Sequence, residues 1–368
     1  MSFDAATRAN RATRSLRAYD PGHDLPALRV EYGDRLIELG SNETSLGPSP
    51  RALEAIRKGL PDVFRYPDPK GAALKAALAR KFAKNPEQIT LGNGSHELLM
   101  LLAQCFADST TSVVFSHYGF AVFSIASAAS GAQPVRVPAL PAGHAHAPLG
   151  HDLAAMVAAI REDTALVYLA NPNNPTGTWF EKEELEAFVA TVPEHVVIVV
   201  DEAYGEYLQA PGAGSALHLI ERHPNVVVTR TFSKAYALAG LRVGYAISSS
   251  QVAAVLERLR ESFNVNQLGL LAAEAALADI EYAAHLIDST AREREWLATQ
   301  LRARGLRVFP SQTNFLLVDF VIDAKSIEAV LFQHAVVVRP MSGYGLPTCL
   351  RISVGTRGES ERLLAALA

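Results

Sequence analysis

The chain has 368 residues, 49% of them apolar, and a formal net charge of −4. Mild, dispersed acidity argues against nucleic acid or an anionic membrane surface as a partner, and two cysteines, Cys105 and Cys349, build neither a disulfide framework nor a C-x-x-C zinc site. The opening "MSFDAATRANRATRSLRAYD" has no apolar core and no apolar run reaches the roughly 18 residues of a membrane span, so a cytoplasmic location is expected.

In chain order, residues 1–45 read as an irregular arm, and the arginines of "RANRATRSLR" suit a mobile or dimer-clasping segment. From residue 50, short β-branched runs alternate with amphipathic helices. "PRALEAIRKGL" and "AALKAALARKFA" carry apolar residues at helical spacing, and "QITLGNGSHELLMLLAQCF" reads as strand, glycine turn, helix. "SVVFSHYGF", "QPVRVPAL", "TALVYLANPNNPTG", "HVVIVVDEAYGEY", "NVVVTRTFSK" and "GLRVGYAI" predict further strands, several apolar enough to be buried on both faces. This alternation predicts an α/β fold: a mainly parallel, seven-stranded-type sheet with helices on both faces. "PALPAGHAHAPLGHD" (138–152) is expected to be a flexible loop, and its His144, His146 and His151 lack the partners of a metal site. The segments after residue 250 predict long helices and then a smaller α+β unit. The expected division is an arm over 1–45 that joins the small unit, a large unit over 46–265, and a small unit over 266–368.

Polar residues cluster just after the strands, where ligands of open α/β sheets bind. "GNGSHE" (92–97) can hold an anion on free N–H groups at a helix start, or can be an ordinary turn with Ser95 as cap. "DEAY" (201–204) places a carboxylate after "VVIVV", where burial demands a cation or strong donor. "NPNNPTG" (171–177) is a rigid turn offering amide donors. Lys234, in "TFSKAYALAGLRVGYAI", is one of only eight lysines and the only one between residues 183 and 324. A partly desolvated lysine has a lowered pKa and condenses with aldehydes, whereas a solvated surface lysine does neither. Thr231, Ser233 and Arg242 flank it with hydroxyls and a forked donor suited to a phosphate. Together these parts describe a pyridoxal 5′-phosphate site: an amine, an acid for the ring nitrogen, donors for the ring oxygen, a stacking face and a phosphate cup.

The motifs "RYPDPKG", "LGNGSHELL", "YLANPNNPTG", "VDEAYGEY", "RTFSKAYALAGLRVGY", "TNFLLVDF" and "VVVRPMSGYGLPTCLRISVGT" run almost end to end. Through them the sequence resembles the fold-type I pyridoxal-phosphate aminotransferases, most closely the histidinol-phosphate aminotransferases. It departs from the family's usual Asn-Glu-Asn-Pro with "NETS" at 42–45. The resemblance implies that Lys234 holds the cofactor and then serves as acid and base. It implies that Asp201 keeps the pyridine nitrogen protonated, Tyr204 and Asn174 bond the ring oxygen, and Tyr118 stacks on the ring. Asn93, Gly94, Ser95, Thr231, Ser233 and Arg242 are implied at the phosphate. Tyr66 matches a tyrosine that reaches the neighbouring subunit's cofactor, which implies a homodimer with shared sites. Arg351 matches the arginine that grips the substrate carboxylate, and Arg339 and Tyr19 match positions around the phosphate of histidinol phosphate, although Arg339 also fits a solvated rim.

The implied reaction is amino transfer between L-histidinol phosphate and the 2-oxo acid 2-oxoglutarate, in histidine biosynthesis. An aromatic amino-acid aminotransferase and a decarboxylase of a phosphorylated amino acid use the same scaffold. A cofactor-binding transcriptional regulator is disfavoured, because the arm leaves no room for a helix-turn-helix unit.

Overall fold

A computed structural model describes residues 3–16 and 23–368. Seven strands form the main sheet: β2 (Ile89–Gly92), β3 (Ser112–Ser116), β4 (Gln133–Val137), β5 (Thr164–Ala170), β6 (Val197–Asp201), β7 (Val226–Thr231) and β8 (Gly244–Ile247). Their order is β2-β8-β7-β6-β5-β3-β4; β8 alone runs antiparallel to its neighbours.

Successive side chains of a strand point to opposite faces, so the β-branched runs supply two cores at once. Val114, Val167, Leu169, Ile198, Val200 and Val228 pack on one face. Val113, Leu166, Tyr168, Val199 and Val227 pack on the other, against the helices Ser95–Phe106 and Ala121–Ser130. The edge strand β4 is the exception. It is mostly exposed and carries Pro134, which an edge tolerates because it needs no ladder donor there.

A second, antiparallel sheet of order β12-β13-β10-β9 joins β9 (Arg307–Val308), β10 (Phe315–Asp319), β12 (Arg339–Pro340) and β13 (Cys349–Ser353). Its core includes Leu297, Leu316, Val318, Leu331 and Leu363, and it also takes in Ile37 and Leu39. Those two come from the chain's start, where β1 (Ile37–Glu38) pairs in parallel with β11 (Val336–Val337).

Three expectations need adjustment. The arm is not irregular throughout: Leu25–Tyr32 is a helix capped by Asp24, and β1 follows it. Helix Gln267–Ala278, assigned by the sequence to the small unit, packs its Leu270, Ala273 and Leu277 into the main core and lies along helix Pro50–Gly59. Its apolar residues cover more than one stripe, so both neighbours can be buried and sequence alone does not choose between units. The loop 138–152 is anchored at its end. His151 is buried, and its Nε2 accepts the Ala170 N–H at 3.2 Å. No described helix is long and apolar enough to cross a membrane.

Candidate active site

The parallel strands β5, β6 and β7 lie side by side, so their carboxyl ends deliver Asn171–Asn174, Asp201 and Thr231 to one place. There Pro172, Asn174, Asp201 and Thr231 border a cavity of about 400 Å³ that is also lined by Ser95, Lys234, Arg242, Arg339 and Arg351. Ten of the sequence-predicted groups, Ser95, Asn174, Asp201, Tyr204, Thr231, Ser233, Lys234, Arg242, Arg339 and Arg351, therefore line one cavity.

One end of the cavity is shaped for an anion. Gly94 has φ +83, and a Cβ there would stand 2.3 Å from Arg242 Nη2. Only glycine lets the guanidinium lie against this turn. A Cβ on Gly244 would meet the Ser95 nitrogen at 2.4 Å. Ser95 begins the helix Ser95–Phe106, whose first N–H groups have no partner within the helix. Arg242 Nη1 donates to Ser233 Oγ at 3.1 Å, and Thr231 Oγ1 donates to the same oxygen at 3.0 Å. Asn93 stays outside this cup: it is exposed, and its N–H donates to the Glu97 carboxylate.

Lys234 Nζ donates to the carbonyls of Asn42 (3.0 Å) and Ser41 (3.3 Å). Burial, then the charges of Arg351 and Arg242, push its amine down to about 8, while Glu43 acts the other way. Asp201 is buried and accepts from Thr229 Oγ1 at 2.9 Å; loss of hydration pushes its carboxyl up to about 7. Tyr204 is buried, its hydroxyl accepts from Asn42 Nδ2 at 2.8 Å, and desolvation pushes it up to about 12. It stays a proton donor at neutral pH.

Arg351 Nη1 donates to Asn174 Oδ1 at 2.8 Å and Nη2 to the Gly40 carbonyl at 2.7 Å. Arg339 is its cross-strand partner in the β12–β13 ladder and lines the same cavity. Tyr118 does not line this cavity, and Tyr66, expected at the neighbouring subunit's site, lies outside it. Tyr118 packs against the cluster of Leu149, Phe309, Leu317 and Met341, and Phe120 and Tyr204 are aromatics on the cavity wall. Tyr66 is 83% exposed and stacks on Phe263. Tyr19 lies outside the described residues.

Residues 34–367 match the family described as aminotransferase class I and II. The chain belongs to this family. Among similar aminotransferases, histidinol-phosphate aminotransferase 2 of Pseudomonas aeruginosa is 46% identical over 99% of this chain and 98% of its own. The protein of the same name from Methylococcus capsulatus is 44% identical over 98% and 97%. A crystal structure of the histidinol-phosphate aminotransferase from Sinorhizobium meliloti in complex with pyridoxal 5′-phosphate superposes with a TM-score of 0.86, at 35% identity, covering 98% of this chain and 96% of that one.

Sequence reasoning treated residues 42–45 of this aminotransferase only as a departure from the usual motif. In the fold Asn42 and Thr44 border Lys234. Asn42 has φ 55 and is buried; its N–H donates to Ser353 Oγ, and its carbonyl also accepts from Asn314 Nδ2. A polar residue that tolerates the left-handed region was the available signal. Among the described residues no cluster of three or more His, Cys, Asp or Glu side chains is placed to hold a metal.

Proposed function

We propose that this aminotransferase moves an amino group between L-histidinol phosphate and 2-oxoglutarate, with pyridoxal 5′-phosphate as cofactor. The observation that carries the reading is the meeting of Lys234 and Asp201 in one cavity, with an anion cup at one end and Arg339 beside Arg351 on the wall. The residues fit the cofactor. The glycine turn leaves space at Arg242 that any side chain would fill, and Asp201 is a buried carboxylate with no cation beside it in its hydrogen bonds, as a protonated pyridine nitrogen requires.

When bound, the cofactor supplies an aldehyde conjugated to an electron-withdrawing ring. The protein's own residues do the rest. Lys234, with an amine near 8, is partly neutral at physiological pH and serves as nucleophile and then as proton carrier at Nζ. The Asp201 carboxylate holds a proton on the ring nitrogen. Tyr204 and Asn174 donate toward the ring oxygen, and Ser95, Thr231, Ser233 and Arg242 hold the phosphate. Arg351 and Arg339 receive the anionic end of either substrate through forked donors.

The same reading includes a homodimer with shared sites. Val63, Phe64 and Tyr66 form an exposed apolar stretch (57%, 74% and 83%) next to half-exposed Phe263, which a second copy would cover.

The test is a side-by-side specificity constant for L-histidinol phosphate, phenylalanine and tyrosine with 2-oxoglutarate as acceptor. The proposal expects a preference for histidinol phosphate of at least about a hundredfold, the discrimination from a recognised polar group. Equal or reversed preference assigns the chain to aromatic amino acids.

A further inference from the structure

The stretch 40–44 touches both the lysine and the substrate arginine. Arg351 Nη2 donates to the Gly40 carbonyl at 2.7 Å. Lys234 Nζ donates to the carbonyls of Ser41 and Asn42. Asn42 Nδ2 donates to the Tyr204 hydroxyl. Thr44 closes the set from the other side: its Oγ1 donates to the backbone carbonyl of Lys234 at 2.9 Å. The lysine is thus held at both ends, amine and peptide, by one short segment. That segment is itself tied to the second sheet through Ser353 and Asn314.

A lysine side chain has four rotatable carbons and loses much rotamer freedom when its amine must reach one point. Fixing its peptide carbonyl removes backbone rotation at the root of that chain. The residues 235–242 add a reason for needing this. Ala237 and Arg242 both take positive φ (55 and 55), so the turn that follows the lysine lies outside the usual backbone regions and its orientation is set by contacts. Thr44 supplies one such contact.

We propose that Thr44 is a positioning residue for Lys234, acting through the hydrogen bond from its hydroxyl to the lysine carbonyl. The inference rests on Lys234 being the cofactor lysine and is independent of which amino donor is preferred. Thr44 is half-buried and its side chain also meets the buried Tyr207 hydroxyl, so unfolding is measured beside the spectrum.

The test compares Thr44→Val, which keeps the shape and removes the donor, with Thr44→Ser, which keeps the donor. The readouts are the pH midpoint of the cofactor's visible absorbance, kcat and KM with glutamate as donor, and thermal unfolding of the cofactor-loaded enzyme. Thr44→Val is expected to move the spectral midpoint by several tenths of a pH unit and to lower kcat roughly three- to tenfold, the effect of one lost hydrogen bond. KM should change less than about twofold. Thr44→Ser should restore both the midpoint and kcat. An unchanged midpoint in Thr44→Val, or a Thr44→Ser enzyme no better than Thr44→Val, overturns the proposal. A fall in unfolding temperature with an unchanged midpoint and kcat does so too, since that is a purely structural role. Absence of the visible band from the wild type would instead overturn the assignment of Lys234 itself.

Discussion

Arg339 and Arg351 stand directly opposite each other across the β12–β13 ladder, both on the wall of the catalytic cavity. Like charges at directly opposed positions of an antiparallel pair destabilise a sheet. An anion bound between them would offset that repulsion by drawing on both forks of donors.

Replacing either arginine by glutamine is therefore expected to weaken binding of both the phosphate-bearing donor and the 2-oxo acid. A hydrogen bond to a charged group is worth about 1.5–3 kcal/mol, so KM should rise roughly 10- to 100-fold. The unfolding temperature should change little, because relief of the repulsion is offset for Arg351 by loss of its bonds to Asn174 and Gly40. Steady-state kinetics beside calorimetry checks both; a variant that loses only one substrate's affinity means the two anions are read separately.

Lys234→Ala is expected to abolish the visible absorbance of the bound cofactor and nearly all turnover, while the protein stays folded. Absorbance spectroscopy and circular dichroism on the purified variant separate the two effects. Turnover at the wild-type level in this variant would remove Lys234 from the chemistry.

The two perturbed groups give the cofactor-free protein a specific pH dependence. The Asp201 carboxyl is raised to about 7 in the fold, so its contribution to stability is complete at acid pH and is lost as pH rises toward 7. The Lys234 amine is lowered to about 8, so its contribution is present at high pH and is lost as pH falls through 8. Asp201→Asn should accordingly stabilise the cofactor-free protein at pH 8 by on the order of 2–4 kcal/mol and give little gain near pH 4. It should also abolish activity. Denaturant titrations at the two pH values check the difference.

Behind the catalytic strand ends lies a buried ion network. Arg230 donates through Nε and Nη2 to Glu202 Oε2 (3.0 and 2.6 Å) and through Nη1 to Glu206 (3.3 Å), and Glu202 also accepts from Ser215 Oγ and the Ala216 N–H. Removing Glu202 leaves buried Arg230 with one carboxylate, Glu206, in place of two. Glu202→Ala should cost about 3–5 kcal/mol of stability, measured by chemical denaturation.

If the sites are shared between subunits, Lys234→Ala and Tyr66→Ala proteins should complement each other. Each is expected to be nearly inactive alone. Refolded together they form mixed dimers in which one site is intact, so activity should return to roughly a quarter of the wild-type value by random pairing. No recovery on mixing, with dimers verified by sedimentation, would place Tyr66 outside the neighbouring site.

The site was readable where chemistry sits at a strand end. Asp201, Thr231 and Asn174 follow apolar runs, so the sequence gives both their element and their address. Lys234 and Arg242 were legible through the hydroxyls and glycines around them. Residues 41–44 were not, because their role depends on Ser353 and Asn314, which lie some three hundred residues away. His151 was lost in a loop whose composition suggested mobility, although its ring nitrogen anchors the end of β5.

The pairing of β1 with β11 joins Ile37 to Val336, which orders events on the ribosome. All seven strands of the main sheet have been made once residue 247 emerges, yet β1 still waits for a partner almost a hundred residues further on. The carbonyls that receive the Lys234 amine follow β1 immediately. A nascent or C-terminally truncated chain can therefore hold a finished main sheet with its lysine still uncaged, and the competent site is among the last parts of the molecule to be assembled.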